Sequence, residues 1–146
     1  MYFLRCYRAI VPMTVAISFL TVSCGESKVS QCQKIINVAN QASTEAKVLT
    51  KGVPPIDPDA MVKAADTMDK AAQAMEAIKL SDNKLKEYQT GFSKMYRDTS
   101  TAMRGLVEPL KNKDRQKVFA TLKNLRQAIV PEPQLVSGLN TYCNGK

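Results

Sequence analysis

The sequence predicts an all-α protein: an antiparallel four-helix bundle whose last helix is broken at Pro131-Glu132-Pro133. Three observations carry that prediction. Apolar residues recur at three- and four-residue spacing over long stretches, the pattern of one buried helix face. Ala, Lys, Gln and Met are frequent while aromatic residues make up only 6% of the chain, a composition that favours helices over sheets. Stop and start signals, Lys51-Gly52 with Pro54-Pro55, Asp57-Pro58 and Pro131-Glu132-Pro133 among them, stand between periodic stretches. At 146 residues the chain suits one domain with one core.

The first helix is expected to open at Ser30, because Ser30-Gln31-Cys32-Gln33 fits a capping box. Cys32, Ile35, Ile36, Ala39, Ala42, Ala46 and Leu49 then share a face, and Lys51-Gly52 followed by Pro54-Pro55 supplies a basic last turn and a stop. Asp57-Pro58 is a good N-cap and first-position pair for a second helix running to about Lys79. Its seam of Met61, Ala64, Ala65, Met68, Ala71, Ala72, Met75 and Ile78 is the clearest pattern in the chain. Small Ala residues there permit close helix approach, while Lys63, Asp66, Asp69, Lys70 and Glu76 fall on the solvent side.

Ser81 can cap a third helix while Leu80 staples onto Leu85. Leu85, Tyr88, Phe92, Met95, Tyr96, Thr99, Met103, Leu106 and Leu110 line one face of it. Pro109 cannot donate the helical hydrogen bond, so a bend or an early end is expected there. A fourth helix starts near Asn112 or Asp114 and carries Val118, Leu122, Leu125 and Ile129. After the interruption at Pro131 and Pro133, a short final helix places Leu135, Val136, Leu139, Tyr142 and Cys143 on one face, with Gly145 beyond its end.

The N-terminus has a different character. Arg5 and Arg8 precede an apolar run from Ala9 to Val22, which is followed by small residues and Cys24, the three-part layout of an export signal. Roughly 20 apolar residues are needed to span a membrane, and this run is shorter and contains Pro12, so a retained span is the weaker reading. Leu20-Thr21-Val22-Ser23-Cys24 resembles the lipobox of bacterial lipoprotein precursors, with Thr21 where the family usually has Leu and Leu20 one place further back. The resemblance implies residues 1–23 as signal peptide, Cys24 as the lipid attachment site, residues 24–29 as a lipidated tether and residues 30–146 as the bundle domain. The alternative is ordinary cleavage near Ser23 or Cys24 with no lipid attached.

Cys6 lies in the discarded leader, which leaves Cys24, Cys32 and Cys143. If Cys24 carries lipid, the remainder is an even pair, and an exported protein meets an oxidising compartment. Topology agrees: an even number of passes brings Cys143 back beside the first turn of the first helix, where Cys32 lies on the apolar face. A disulfide between them closes a loop of about 110 residues and stabilises the fold by about 4 to 5 kcal/mol in the chain-entropy model. Two buried free thiols are the alternative.

Chemistry is mostly excluded. The chain has no His, which removes the imidazole base, His-containing metal sites and Ser-His triads. No Gly-rich phosphate loop and no CxxC pair occur. Asp66, Asp69 and Glu76 are interleaved with Lys63 and Lys70, which reads as a solvated face rather than an acid/base pair. Met61, Met68 and Met75 stand about 10 Å apart along a helix, too far to share a soft metal ion, so they read as core. The Tyr88, Phe92, Tyr96 stripe likewise reads as core before it reads as a stacking platform. No enzyme activity, cofactor or metal is expected.

Charge is the one asymmetric feature. Residues 24–78 carry a net charge of −1 and residues 79–146 carry +7. Arg104, Lys111, Lys113, Arg115, Lys117, Lys123 and Arg126 gather around the turn between the third and fourth helices, broken only by Glu108 and Asp114. Such a turn is either a soluble charged surface or a docking patch, centred on Lys111, Lys113, Arg115 and Lys117, for an acidic protein or anionic polymer. Nucleic acid is not an expected partner of an exported chain.

Tether plus bundle resembles the layout of small helical bacterial lipoproteins, including cyanobacterial ones, and of lumenal accessory lipoproteins of photosystem II. This implies a non-enzymatic, membrane-tethered accessory or interaction protein of the cell envelope, facing the periplasm or the extracellular side, with a thylakoid lumen as a variant. The alternatives are a binding module for an anionic or apolar ligand and a lumenal subunit of a photosynthetic complex. A core filled by Met, Leu and Ala favours the accessory reading, and a roomy cavity near Tyr88 to Tyr96 favours the ligand module.

Overall fold

The computed structural model describes residues 26–50, without the side chains of 48–50, and residues 57–145. The signal 1–23, Cys24 and the stop at Lys51-Gly52 and Pro54-Pro55 lie outside the described residues, as does the side chain of Leu49. Five helices follow one another: α1 (Lys28–Thr50), α2 (Pro58–Glu76), α3 (Asn83–Lys111), α4 (Arg115–Ile129) and α5 (Glu132–Asn144). They make an all-helical bundle of four rods, with α4 and α5 as the two halves of the fourth. The longest helix, α3, is the spine. Helix α2 packs along one side of it, α4 and α5 succeed each other along another, and α1 closes the bundle against α2, α3 and α5.

Local chemistry explains each boundary, and it moves some of them. Ser27 rather than Ser30 sits at the head of α1, its Oγ accepting from the Ser30 N–H at 3.2 Å. Lys28 and Val29, expected in the tether, are therefore already helical. Asp57 caps α2 as expected, accepting from the Asp59 N–H at 3.0 Å with Pro58 in the first helical position. That helix ends at Glu76, short of Lys79. The cap of α3 is Asp82 and not Ser81: its Oδ1 accepts from the Leu85 N–H at 2.9 Å.

Ser81 has a different task, together with Gln31. The Gln31 side chain is 2% exposed, and its Oε1 accepts from the N–H groups of Ser81 at 2.7 Å and Asp82 at 3.1 Å. Its Nε2 donates to Ser81 Oγ at 2.9 Å and to the Glu26 carbonyl at 2.8 Å. One buried amide thus makes four hydrogen bonds and ties the first turn of α1 to the entry of α3.

Pro109 lies inside α3, and the helix ends two residues later, at Lys111, in a Schellman motif. The Asp114 N–H donates to the Pro109 carbonyl at 2.9 Å and the Lys113 N–H to the Leu110 carbonyl at 3.1 Å. Lys113 occupies the left-handed position of this motif, with φ 54°. Asp114 then caps α4, accepting from the Lys117 N–H at 3.1 Å. The expected break over Pro131-Glu132-Pro133 is confined to Val130 and Pro131. Pro133 falls in the first turn of α5, where a missing donor costs nothing.

Ile35, Met75, Leu85, Phe92 and Leu106 are fully buried, each contributing roughly 1.5 to 3 kcal/mol of hydrophobic stabilisation. Met68, Met95, Tyr96 and Leu139 extend this core, while Met61 is only half-buried. Close approach between α3 and the fourth rod depends on glycine. A Cβ on Gly91 would stand 2.6 Å from Leu135 Cδ2, and one on Gly138 would stand 2.8 Å from the Tyr88 hydroxyl. Gly105 faces Thr121 in the same way. Gly91 and Gly105 are as far apart in sequence as Thr121 and Leu135, so the antiparallel register runs unbroken past the interruption at Pro131.

One expectation for the core needs correction. Val118, Leu122 and Leu125 are only half-buried, Ile129 is 43% exposed, and α4 has no fully buried residue. The reason is length: α3 has 29 residues and α2 has 19, so among the described residues α4 packs chiefly against α3.

At the opposite end Cys32 and Cys143, 111 positions apart in sequence, form a disulfide with Cα atoms 5.9 Å apart. Cys32 is buried and Cys143 half-buried. The Lys28 ammonium lies 4.1 Å from the centre of the Tyr142 ring and donates to the Gly145 carbonyl at 3.4 Å, and the Tyr142 hydroxyl donates to Asp82 Oδ2 at 2.8 Å.

Candidate functional site

The acidic residues of α2 are held by α3 rather than free in solvent. Arg104 Nη2 donates to Asp66 Oδ1 and to Asp69 Oδ2, both at 2.7 Å. Arg97 grips Glu76 with two bonds, from Nε at 2.9 Å and from Nη2 at 2.6 Å. The hydrogen bond from Arg104, then one from Ser100, holds the Asp69 carboxyl below the usual carboxylate range, and Arg97 does the same for Glu76. These pairs orient α2 on α3, and carboxylates so engaged are poor acid/base candidates. Among the described residues no group of three or more His, Cys, Asp or Glu could hold a metal ion.

Arg104 therefore leaves the basic cluster predicted from sequence, but the four central residues do meet. Lys111, Lys113, Arg115 and Lys117 are all exposed around the α3–α4 turn. Lys111 approaches Glu108 at 3.9 Å and Lys117 approaches Asp114 at 3.3 Å, each three residues away along the chain. The Asp114 carboxyl is held low first by the Lys117 N–H and also by the Lys117 side chain. The turn is thus a net positive surface in which two of the four cations are partly neutralised. Phe119, 73% exposed, lies one turn into α4 beside it.

Lys113 stands where glycine is favoured, because a left-handed backbone costs a side-chain-bearing residue roughly 1 kcal/mol. Backbone strain kept at a surface position is a feature that accompanies functional sites.

The aromatic stripe divides. Phe92 and Tyr96 are core residues with ring centres 6.2 Å apart, whereas Tyr88 is half-buried and lies against Tyr142, also at 6.2 Å. Beside Tyr96 the packing opens into a solvent-accessible groove of about 280 Å³ at mid-bundle. Ala39, Ala42, Ser43, Ala46 and Lys47 of α1 form one wall and Met68 of α2 another. Met95, Tyr96, Thr99 and Met103 of α3 form the floor, and Ile129 and Glu132 flank the break between α4 and α5. Burial and, secondarily, the Glu132 carboxylate push the Tyr96 phenol up to about 12. Thr99 is 4% exposed, and among the described residues its hydroxyl has no hydrogen-bond partner. Both Thr99 and Met103 stand on the apolar face predicted for α3, but their spacing alone marks them as core filler.

Cys24 lies outside the described residues, whereas the Cys32 and Cys143 expected to pair are brought together. No protein-family model, curated protein or solved structure matches the chain.

Proposed function

We propose that this protein is a non-enzymatic, exported lipoprotein of the cell envelope, a membrane-tethered helical interaction protein that docks an acidic partner on the α3–α4 turn. The observation that carries the reading is the polarity of the bundle. The Cys32–Cys143 disulfide and both ends of the described fold lie at one end, and the basic turn lies at the other. A disulfide closing the whole domain fits an oxidising compartment outside the cytosol.

Helix α1 opens a few residues after Cys24, so an acyl chain there would hold the disulfide end at the bilayer. The 29 residues of α3 then carry the turn about 43 Å away, roughly five Debye lengths at physiological salt. Anionic lipids of the anchoring leaflet would exert almost no pull on it. An acidic protein surface beyond the membrane is the partner that fits.

The test has two arms. Cys24→Ser should abolish fatty-acid labelling and detergent partitioning of the full-length chain expressed with its leader, and an unmodified, freely soluble wild type overturns the lipoprotein reading. Replacing Lys111, Lys113, Arg115 and Lys117 by Gln should leave fold and membrane attachment intact while abolishing salt-sensitive crosslinking to partners in native membranes. An unchanged crosslinking pattern reduces the turn to a solvated surface.

A further inference from the structure

A groove runs along the bundle between α1 and the fourth rod. Toward the disulfide end α1 packs against α5, whereas beyond the Pro131 break α4 packs chiefly against α3, so the space beside Tyr96 stands open to solvent. It continues past the break, where Ile36, Ala39 and Asn40 of α1 face Val136, Leu139 and Asn140 of α5 across a further space of about 90 Å³. The α1 wall is made of small residues. Ala39, Ala42, Ser43 and Ala46 stand on successive turns there, and short side chains at a contact let two helices approach closely. From Ile36 to Lys47 this wall is about 16 Å long, three turns of helix.

The opposite wall is apolar and positively charged. Among the described residues five large apolar side chains are exposed, and four of them, Phe119, Ile129, Val130 and Val136, stand on the fourth rod. Ile129 lines the groove, and Phe119, Lys123, Arg126 and Val130, at steps of four, three and four residues, share the adjoining side of α4, all of them exposed. Helix α4 contains no Asp or Glu, and Glu132 is the single carboxylate among the described residues that line the groove. Phe119 lies one turn into α4, so this surface is continuous with the basic α3–α4 turn. A contiguous apolar surface rimmed by charge marks an interaction site.

We propose that an acidic amphipathic helix of the docked partner lies in this groove, its apolar face against Ile129, Val136 and the α1 alanines and its carboxylates against Lys123, Arg126 and the basic turn. The proposal rests on the docking reading and extends it from the turn along the side of the bundle. Charge selects the occupant. Residues 1–25 carry Arg5 and Arg8 and no Asp or Glu, and a second copy would bring a net charge of +8, so the chain's own leader and its own fold both meet like charge. The α2 carboxylates of such a copy are also already engaged, by Arg97 and Arg104. Shape selects a helix: side chains at three- and four-residue spacing enter a groove as anchors, and Met68, Met95 and Met103 are flexible enough to fit around them. A flat bilayer does not follow a concave surface.

The experiment titrates the full chain, disulfide intact and labelled at its methionine methyl groups, with a stapled helical peptide of about 15 residues that has Leu on one face and Glu on the other. In NMR this peptide should saturably shift Met95 and Met103, which line the groove, and leave the fully buried Met75 unmoved. The same peptide with Lys in place of Glu should bind at least about tenfold more weakly, and so should the Glu peptide when Lys123→Gln and Arg126→Gln are combined. Ile129→Gln with Val136→Gln, both at exposed positions, should abolish the shift without lowering helicity. No saturable shift, equal affinity for the Glu and Lys peptides, or binding unchanged by the Ile129 and Val136 substitutions overturns the proposal. Displacement of the peptide by phosphatidylglycerol vesicles but not by phosphatidylcholine ones overturns it in favour of a membrane-facing surface. The two peptides need no substitution and decide alone should a variant fail to fold. In native-membrane crosslinking the Ile129 and Val136 variant should lose the partner as the four-Gln turn variant does; if the turn variant alone loses it, docking stands and the groove proposal falls, and if neither does, the docking reading falls as well.

Discussion

Replacing Gln31 by Met tests how much of this fold depends on one amide. The side chains are nearly equal in length and both suit a helix, so the change removes four hydrogen bonds with little change in shape. What matters is what it leaves behind. The N–H groups of Ser81 and Asp82 lose their acceptor at a place where Gln31 is 2% exposed, and each buried orphan donor costs about 1 to 3 kcal/mol. Ser81 is itself exposed, so water recovers part of the loss, and the lower end applies to each. The expected destabilisation is about 2 to 3 kcal/mol, seen in urea as a lower midpoint with an unchanged slope. In hydrogen exchange the amides of Ser81 and Asp82 should go from among the most protected of the α2–α3 connection to the least, while those of Phe92 and Leu106 follow only the global change. A loss below about 0.5 kcal/mol with protection intact at both amides refutes the view of Gln31 as a clamp.

Two further outcomes follow from the geometry. Reducing the Cys32–Cys143 bond, or replacing both residues by Ser, should lower stability by about 4 to 5 kcal/mol, given their separation of 111 positions, and a loss under about 1 kcal/mol in urea would show that the two ends hold together without it. Glu26, Asp69, Glu76, Asp82 and Asp114 all have carboxyls held below their ordinary values, so their stabilising effect is present above the ordinary carboxylate range and is lost as pH falls through the folded values. Thermal melts should therefore be flat near neutrality and fall below about pH 4.5. The Tyr96 phenol, raised to about 12, predicts a second decline between about pH 10 and 12, which Tyr96→Phe should reduce but not remove, because the Tyr142 phenol, held up first by its hydrogen bond to Asp82, also titrates above its ordinary value.

The helices were legible because their signals are local. Asp57-Pro58 and Asp114 are caps that act within one turn, and the seam through Met68 and Met75 repeats often enough to define a face. The Cys32–Cys143 pairing was legible from counting passes. Misplaced boundaries arose where two capping residues stood close together, Ser27 with Ser30 and Ser81 with Asp82, and in the second case a distant partner decided between them. That partner was Gln31, which shares the buried stripe of Ile35 and Ala42; a polar residue on an apolar face was the available clue. The groove beside Tyr96 was beyond reach. Alanines opposite methionines fit either close packing or a gap, and the apolar pattern does not say how far apart the helices that carry them stand. The weak burial of α4 was hidden similarly, since its stripe of Val118, Leu122 and Leu125 does not reveal how far α2 extends alongside α3.

Near the disulfide, Lys28 touches Gly145 and Cys32 is bonded to Cys143, so the polypeptide is in effect a closed ring with both free ends leaving from one pole. This matters mechanically. A pull between Lys28 and Gly145 meets the covalent link little more than one turn from Lys28 and passes into α5 without unzipping α1 from its neighbours, so the helices between Cys32 and Cys143 carry no load. A partner gripping the far turn changes that path: the pull would then run along the length of the bundle's helices rather than across them.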